Sequence, residues 1–286
     1  MLFRSRHLPS LSDGTINVEL GDFHPGAHGG LLLDITTAND VIETCSLRLG
    51  LVHRSTEKLF EARDYRQIMM LANRHDWLSG VSSELGVALA VEKATGITPP
   101  DLATWTRMLL SEAGRIGAST LFLGAAGAPE ALGVRERWAS WQERATGGRV
   151  HPMMTRVGGI EHPLRSQDLT DIADIADRAR LLTQPWLEFC DEQQAWEGLA
   201  VLPTHTAMDF TCSGAVGQAS GVDWDLRRDD PYLNYRDISV DWSLPVLAAG
   251  DTLSRYRSLV QSVSVSAEII AQCVERLRSL PTEEHA

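Results

Sequence analysis

From residue 55 onward, apolar residues recur every three to four positions, in runs that Gly and Pro punctuate. That spacing lines one helix face with side chains that leave water. A chain so patterned commits most of its length to packed helices. The spacing predicts a helix over residues 55–72, with Ser55 or Thr56 able to cap it. A second is predicted over 78–95, stopped by Gly96 with Pro99-Pro100 beyond. A third starts after Pro100, with Asp101 in its first turn, and runs to about residue 123. A shorter, more polar helix covers 132–144 before Gly147-Gly148. Ser166-Gln167-Asp168 opens another toward residue 182, and Pro185 kinks or restarts it toward Cys190. Residues 198–242 are loop-rich. The last run, 251–280, is one long helix with apolar positions at Leu253, Tyr256, Val260, Val263, Ile270, Val274 and Leu277.

Ahead of the helices, residues 15–20 alternate with period two. Residues 31–36 and 41–47 look alike, parted by the turn Ala38-Asn39-Asp40. The expected class is therefore mostly α (α+β): one domain over 1–286, with a small antiparallel β element in 1–50 and a helical body in 51–286.

The charge balance narrows the partners. The net charge of −12 argues against nucleic acid, which needs clustered Lys and Arg. The acidic residues are spread along the helices, as on solvated faces. No run approaches the ~20 apolar residues of a membrane span, and the start Met1-Leu2-Phe3-Arg4-Ser5-Arg6 lacks the apolar stretch of a secretion signal. A cytoplasmic protein is expected, able to sit on a membrane complex through protein contacts. Cys45, Cys190, Cys212 and Cys273 are scattered, with no C-x-x-C pair, so buried free thiols are expected rather than disulfides or a metal site.

Titratable groups beside the apolar runs carry the chemistry. His24 and His28 lie four apart, but Pro25, Gly26, Gly29 and Gly30 favour a turn over a helix. Such a turn reads either as a proton-donating loop at a cavity or as a hairpin tip whose histidines bond to backbone. His53, Arg54, Glu57 and Lys58 sit at a helix start, where capping and ordinary ion pairs also account for them. Arg74, His75 and Asp76 fall between two apolar helices, either as an interhelix ion pair or as a cation beside a cofactor. His151 and Arg156 flank Pro152-Met153-Met154-Thr155. Beside a metal cluster, such a His can couple reduction to protonation; alone, it reads equally as structural. Residues 220–232 mix paired charges with aromatics and suit a buried ion-pair loop that clamps helices or a partner. No nucleophile elbow, Walker loop or dinucleotide fingerprint occurs.

At these residues the chain resembles the D subunit (49 kDa type) of respiratory complex I, the NADH–quinone oxidoreductase, a family related to the large subunit of nickel–iron hydrogenases. The matching pieces are His24-Pro25 with His28-Gly29, Gly50 with His53-Arg54, Ala90-Val91-Glu92-Lys93, Phe122-Leu123-Gly124, Gly148-Arg149-Val150-His151, Arg156-Val157-Gly158-Gly159, and Ser220-Gly221-Val222-Asp223 with Asp225-Leu226-Arg227. The resemblance implies a hydrogenase large-subunit-like helical bundle with a small β element. It implies a place on the inner face of the cell membrane, against a B-type iron–sulfur subunit, a C-type subunit and membrane subunits. It implies electron transfer from NAD(P)H or another donor to quinone. By it, His28 lies near the quinone head group, with His24 in the same loop. Arg74 and His151 approach a 4Fe–4S cluster that the partner ligates. The chain itself is expected to bind no cofactor and no metal.

Departures from the family pattern matter for mechanism. Trp77 follows Asp76 where the family carries a quinone-contacting Tyr, and indole has no acidic phenol proton. The family pairs the loop His with an Asp; here, after Ala126-Gly127-Ala128-Pro129, either Glu130 substitutes for it or that carboxylate partner is lost. Leu33 stands near a family Arg. The family's C-terminal segment is not matched after the long helix, so a shortened, divergent relative is expected. The leading expectation is a subunit that forms part of a quinone site through His28, Trp77 and Glu130. The alternatives are a non-catalytic scaffold or assembly partner, and a stand-alone metal enzyme using His24 and His28.

Overall fold

The computed structural model describes residues 15–19, 32–38, 41–50, 53–240 and 247–280. Residues 1–58 and 59–286 form two compact units. In the first, strands β1 (Thr15–Glu19), β2 (Leu32–Ala38) and β3 (Val41–Arg48) make an antiparallel sheet in the order β1-β2-β3. Ile16 opposes Ile35, and Ile35 opposes Cys45. A bulge between Thr36 and Thr37 shifts the register toward the turn. Cys45 is exposed, against the expectation of a buried thiol, because this face of β3 is solvated.

Helix α1 (Thr56–Glu61) is followed by α2 (Tyr65–His75), where one helix over 55–72 was expected. Asp64 makes the break. Its carboxylate accepts from the Arg66 and Gln67 N–H groups at 2.9 and 3.0 Å, which starts a new helix. Next come α3 (Gly80–Thr95) and α4 (Asp101–Ala125). Gly96 ends α3 at φ +72°, a left-handed cap that Gly adopts without Cβ strain.

Helix α5 (Pro129–Thr146) leads to a short hairpin of β4 (Thr155–Arg156) and β5 (Gly159–Ile160). Then come α6 (Ser166–Leu181) and α7 (Thr183–Glu192). The break falls at Leu182, so Pro185 sits inside the first turn of α7, where its missing N–H costs no bond. The loop-rich section holds the short helices α8 (Thr204–Asp209), α9 (Gly214–Ala219) and α10 (Leu226–Asp229). Helix α11 (Thr252–Ser279) closes the unit, capped by the Asp251 carboxylate on the Ser254 N–H at 2.8 Å.

The core of the helical unit lies where α4 meets α11, with α5, α6 and α7 around them. Met108, Leu109 and Ile116 of α4 face Val260, Val263, Ile269 and Ile270 of α11, all buried. Each such side chain contributes about 1.5–3 kcal/mol of burial energy. Trp141 is buried too, and its indole N–H donates to the Asp168 carbonyl at 2.8 Å. Among the described residues, no helix is long and apolar enough to cross a membrane.

Candidate functional site

One face of α3 carries two buried carboxylates, Glu84 and Glu92, eight residues and so about 12 Å apart along the helix. Both hold the segment that runs from α5 through the β4–β5 hairpin. Glu92 forms a two-toothed pair with the buried Arg107 of α4, at 2.7 and 3.0 Å. It also accepts from the Gly158 N–H at 2.7 Å. Arg107 in turn donates to the Arg156 and Gly159 carbonyls at 2.6 and 2.8 Å. The hairpin is thus fixed at its far end by an ion pair.

Glu84 fixes the near end without a contacting cation. It is 0% exposed. It accepts from the Met153 N–H at 2.9 Å, from the Thr155 N–H at 3.1 Å and from the Asn73 side-chain amide. Burial pushes the Glu84 carboxyl above the usual range, and those three donors and the Arg156 charge only partly oppose it. Asn73, also 0% exposed, belongs to α2 and immediately precedes Arg74. Glu84 therefore ties the end of α2 to residues 153–155.

Arg74 and His151 stand on either side of this tie. Arg74 is exposed; its Nη1 donates to the Met70 carbonyl at 3.3 Å and reaches the Met153 sulfur at 3.4 Å. Met153 has a left-handed backbone, φ +50°. His151 is half-buried, and its Nδ1 is buried without a hydrogen-bond partner. Burial first, and then the Arg74 charge, hold the His151 pKa below the ordinary imidazole value, against a hydrogen bond to the Asn73 backbone that favours the charged ring. Burial and the Arg74 guanidinium beside it favour the neutral ring. The bend that brings His151 back needs Gly148: a Cβ there would lie 1.9 Å from the His151 carbonyl oxygen.

Trp77 is 43% exposed and borders the same area. With Leu78, Gly80, Trp138, Val150 and Pro152 it lines a narrow cleft, and Val150 and Pro152 are the chain neighbours of His151. The structure thus brings Arg74, His151 and Trp77 together. Glu130 is not among them. It is exposed in the first turn of α5, whereas residues 148–151 follow the other end of that 18-residue helix, about 25 Å away. His24 and His28 lie outside the described residues. Arg74, His75 and Asp76 form no ion pair among the described residues; Asp76 instead accepts from the Leu78 N–H at 3.2 Å. No group of His, Cys, Asp and Glu suited to a metal occurs among the described residues.

Sequence reasoning missed Glu84 and its partner Asn73. The available signal was a carboxylate on the buried stripe of Val81, Leu85, Ala88 and Val91. Burying a charge there is costly unless several donors meet it.

Residues 116–286 match the family model described as the 49 kDa subunit of the respiratory-chain NADH dehydrogenase. Among curated proteins, the chain is 36% identical to an NADH-quinone oxidoreductase D subunit of Streptomyces griseus, over 92% of this chain and 70% of that one. It is 38% identical to a D subunit of the same oxidoreductase from Streptomyces coelicolor, over 92% and 72%. It is 32% identical to the D subunit of Cereibacter sphaeroides, over 92% and 68%. The chain belongs to the 49 kDa (D-type) subunit family of NADH-quinone oxidoreductases. The match to these D-type relatives takes in α5, the hairpin and α11 and extends over nearly the whole chain, so Arg74 and His151 both lie on family sequence.

Proposed function

We propose that this D-type relative works inside a complex I-like assembly. There it offers the Arg74–His151 face to a 4Fe–4S cluster held by a B-type partner and forms part of a quinone site. The observation that carries the reading is the juxtaposition of Arg74 with a neutral His151 whose Nδ1 lacks a partner. The chain's own residues suit a neighbour's cluster rather than a resident one, because they supply a cation and a proton acceptor but no thiolate set. The cluster, when the partner carries it, supplies the electron. Arg74 holds a positive charge toward it and favours the reduced state. His151 takes up a proton when negative charge arrives beside it, because only its own burial and Arg74 keep that proton off. Trp77, at the mouth of the cleft, gives an acceptor an indole face to rest on but no acidic proton. Proton delivery to quinone then falls to His28. A C-type subunit and membrane subunits complete the assembly, which sits on the inner face of the cell membrane.

The test is a redox titration of the cluster, followed by its spectroscopic signal, in the assembled complex. His151→Ala is expected to lower the potential or remove its pH dependence. A potential and pH slope identical to those of the unaltered complex would reject the role. A scaffold reading draws on Trp77, which replaces an acidic phenol. Competition by a quinone analogue at the assembled complex would exclude it.

A further inference from the structure

We propose that Glu84 is the positioning residue of this face: its buried carboxylate, gripping Asn73 and the Met153 and Thr155 N–H groups, sets Arg74 and His151 side by side. Apart from a hydrogen bond between the Asn73 backbone and the His151 ring, the geometry leaves few other candidates. Arg74 directly follows Asn73, whose side-chain amide Glu84 holds, and His151 precedes Met153, whose backbone N–H Glu84 holds, by two residues. Arg74 itself grips the loop only through the Met153 sulfur at 3.4 Å, a weak acceptor. The Met153 backbone is held left-handed, a conformation that a non-glycine residue leaves when nothing opposes it. The Glu92–Arg107 pair anchors residues 156–159, beyond the reach of His151. A carboxylate fits this task better than an amide, because it offers acceptor positions only and three donors point at it.

Glutamine at this position keeps the shape, and the Asn73 amide can turn to present its unpartnered Oδ1. One loop N–H must then face the new amide N–H₂. Glu84→Gln should therefore loosen the loop in part, and Glu84→Ala should release it. The consequence for cluster tuning rests on the proposed function above; the positioning itself does not.

The experiment follows the His151 ring by NMR titration of the full chain labelled at histidine, with His151→Gln to assign the signal. In Glu84→Ala the His151 pKa is expected to rise toward the ordinary imidazole value, because the ring gains water and the Arg74 charge moves off. Glu84→Gln should give a smaller rise of the same sign, and it serves alone if the alanine variant fails to fold. A folded Glu84→Gln that is less stable yet titrates at His151 like the parent would overturn the inference, since a merely structural carboxylate behaves that way. The same titration separates this inference from the functional reading. If the Glu84 variants move the His151 titration while His151→Ala leaves the cluster potential untouched, positioning stands and the cluster role falls.

Discussion

Two carboxylates of the helical unit, Glu84 and Glu112, are both 0% exposed, yet their surroundings drive them in opposite directions. Glu112, on α4, is ringed by charge. Arg227 meets it at 2.9 Å and Arg115 at 3.3 Å, while Ser266 and Tyr235 each donate at 2.6 Å. Burial alone would raise its pKa, but Arg115 and Arg227 overcome that and hold it at about 2. Arg227 is locked in turn by Asp225 at 2.7 Å. This hub joins α4, the loop before α10, Tyr235 and α11, which is the clamp that residues 220–232 suggested from sequence. Glu84 has the same burial and no contacting cation, so its pKa goes up. A charge matched by countercharges is architecture. A charge met mainly by neutral donors, with only the Arg156 guanidinium acting on it from beyond contact, is costly to keep, and here it sits where α2 meets the His151 loop.

The largest expected effect falls on the matched charge. Arg227→Ala leaves the buried Glu112 with Arg115 as its countercharge and Asp225 without its Arg227 pair, and should cost about 3–5 kcal/mol, read as a lower midpoint in urea unfolding. Glu84→Gln, which removes a charge the core already resists, should cost only about 1–3 kcal/mol. Equal losses would erase the distinction between the two sites. Acid sharpens it further. Because the Glu112 pKa is depressed when folded, its contribution is present above about pH 4.5 and is lost as pH falls toward 2. That gap corresponds to roughly 3 kcal/mol. Glu84 has the opposite sign: its contribution is fullest in acid and fades as pH rises through its raised value. Unfolding measured from pH 6 to pH 2 should therefore show a steep acid loss in the parent and in Glu84→Gln. In Arg227→Ala that loss should be smaller and complete at higher pH, or absent.

The contrast also explains what the sequence could convey. The stop at Gly96, the start after Pro100 and the long last helix are local signals, and each appears where the residues suggested. The paired charges of Asp225 and Arg227 were legible because they adjoin in the chain. The break at Asp64 was not, because within Ala62-Arg63-Asp64-Tyr65-Arg66 an Asp looks like any solvated helix residue until its carboxylate turns onto the next N–H groups. Arg74 and His151 drew attention through family resemblance, since no spacing rule pairs residues so far apart. Glu84 carried a readable sign, a charge in an apolar stripe. Its partners, backbone N–H groups of a distant loop, leave no mark in side-chain chemistry.

The smallest expected effect tests whether the Glu84 region works through backbone or through side chains. Met153 at φ +50° carries about 1–2 kcal/mol of strain that a glycine would not. Met153→Gly relieves it but also widens the unfolded ensemble, by about 0.4–1 kcal/mol. It gives up the sulfur contact to Arg74 as well. These terms nearly cancel, so stability in urea should change by less than about 1 kcal/mol. The glycine keeps its N–H, so the Glu84 bond survives and His151 should titrate as in the parent. A loss above about 2 kcal/mol would mean that the thioether, rather than the backbone grip, holds the loop. The comparison with Glu112 would then be one of packing as much as of charge.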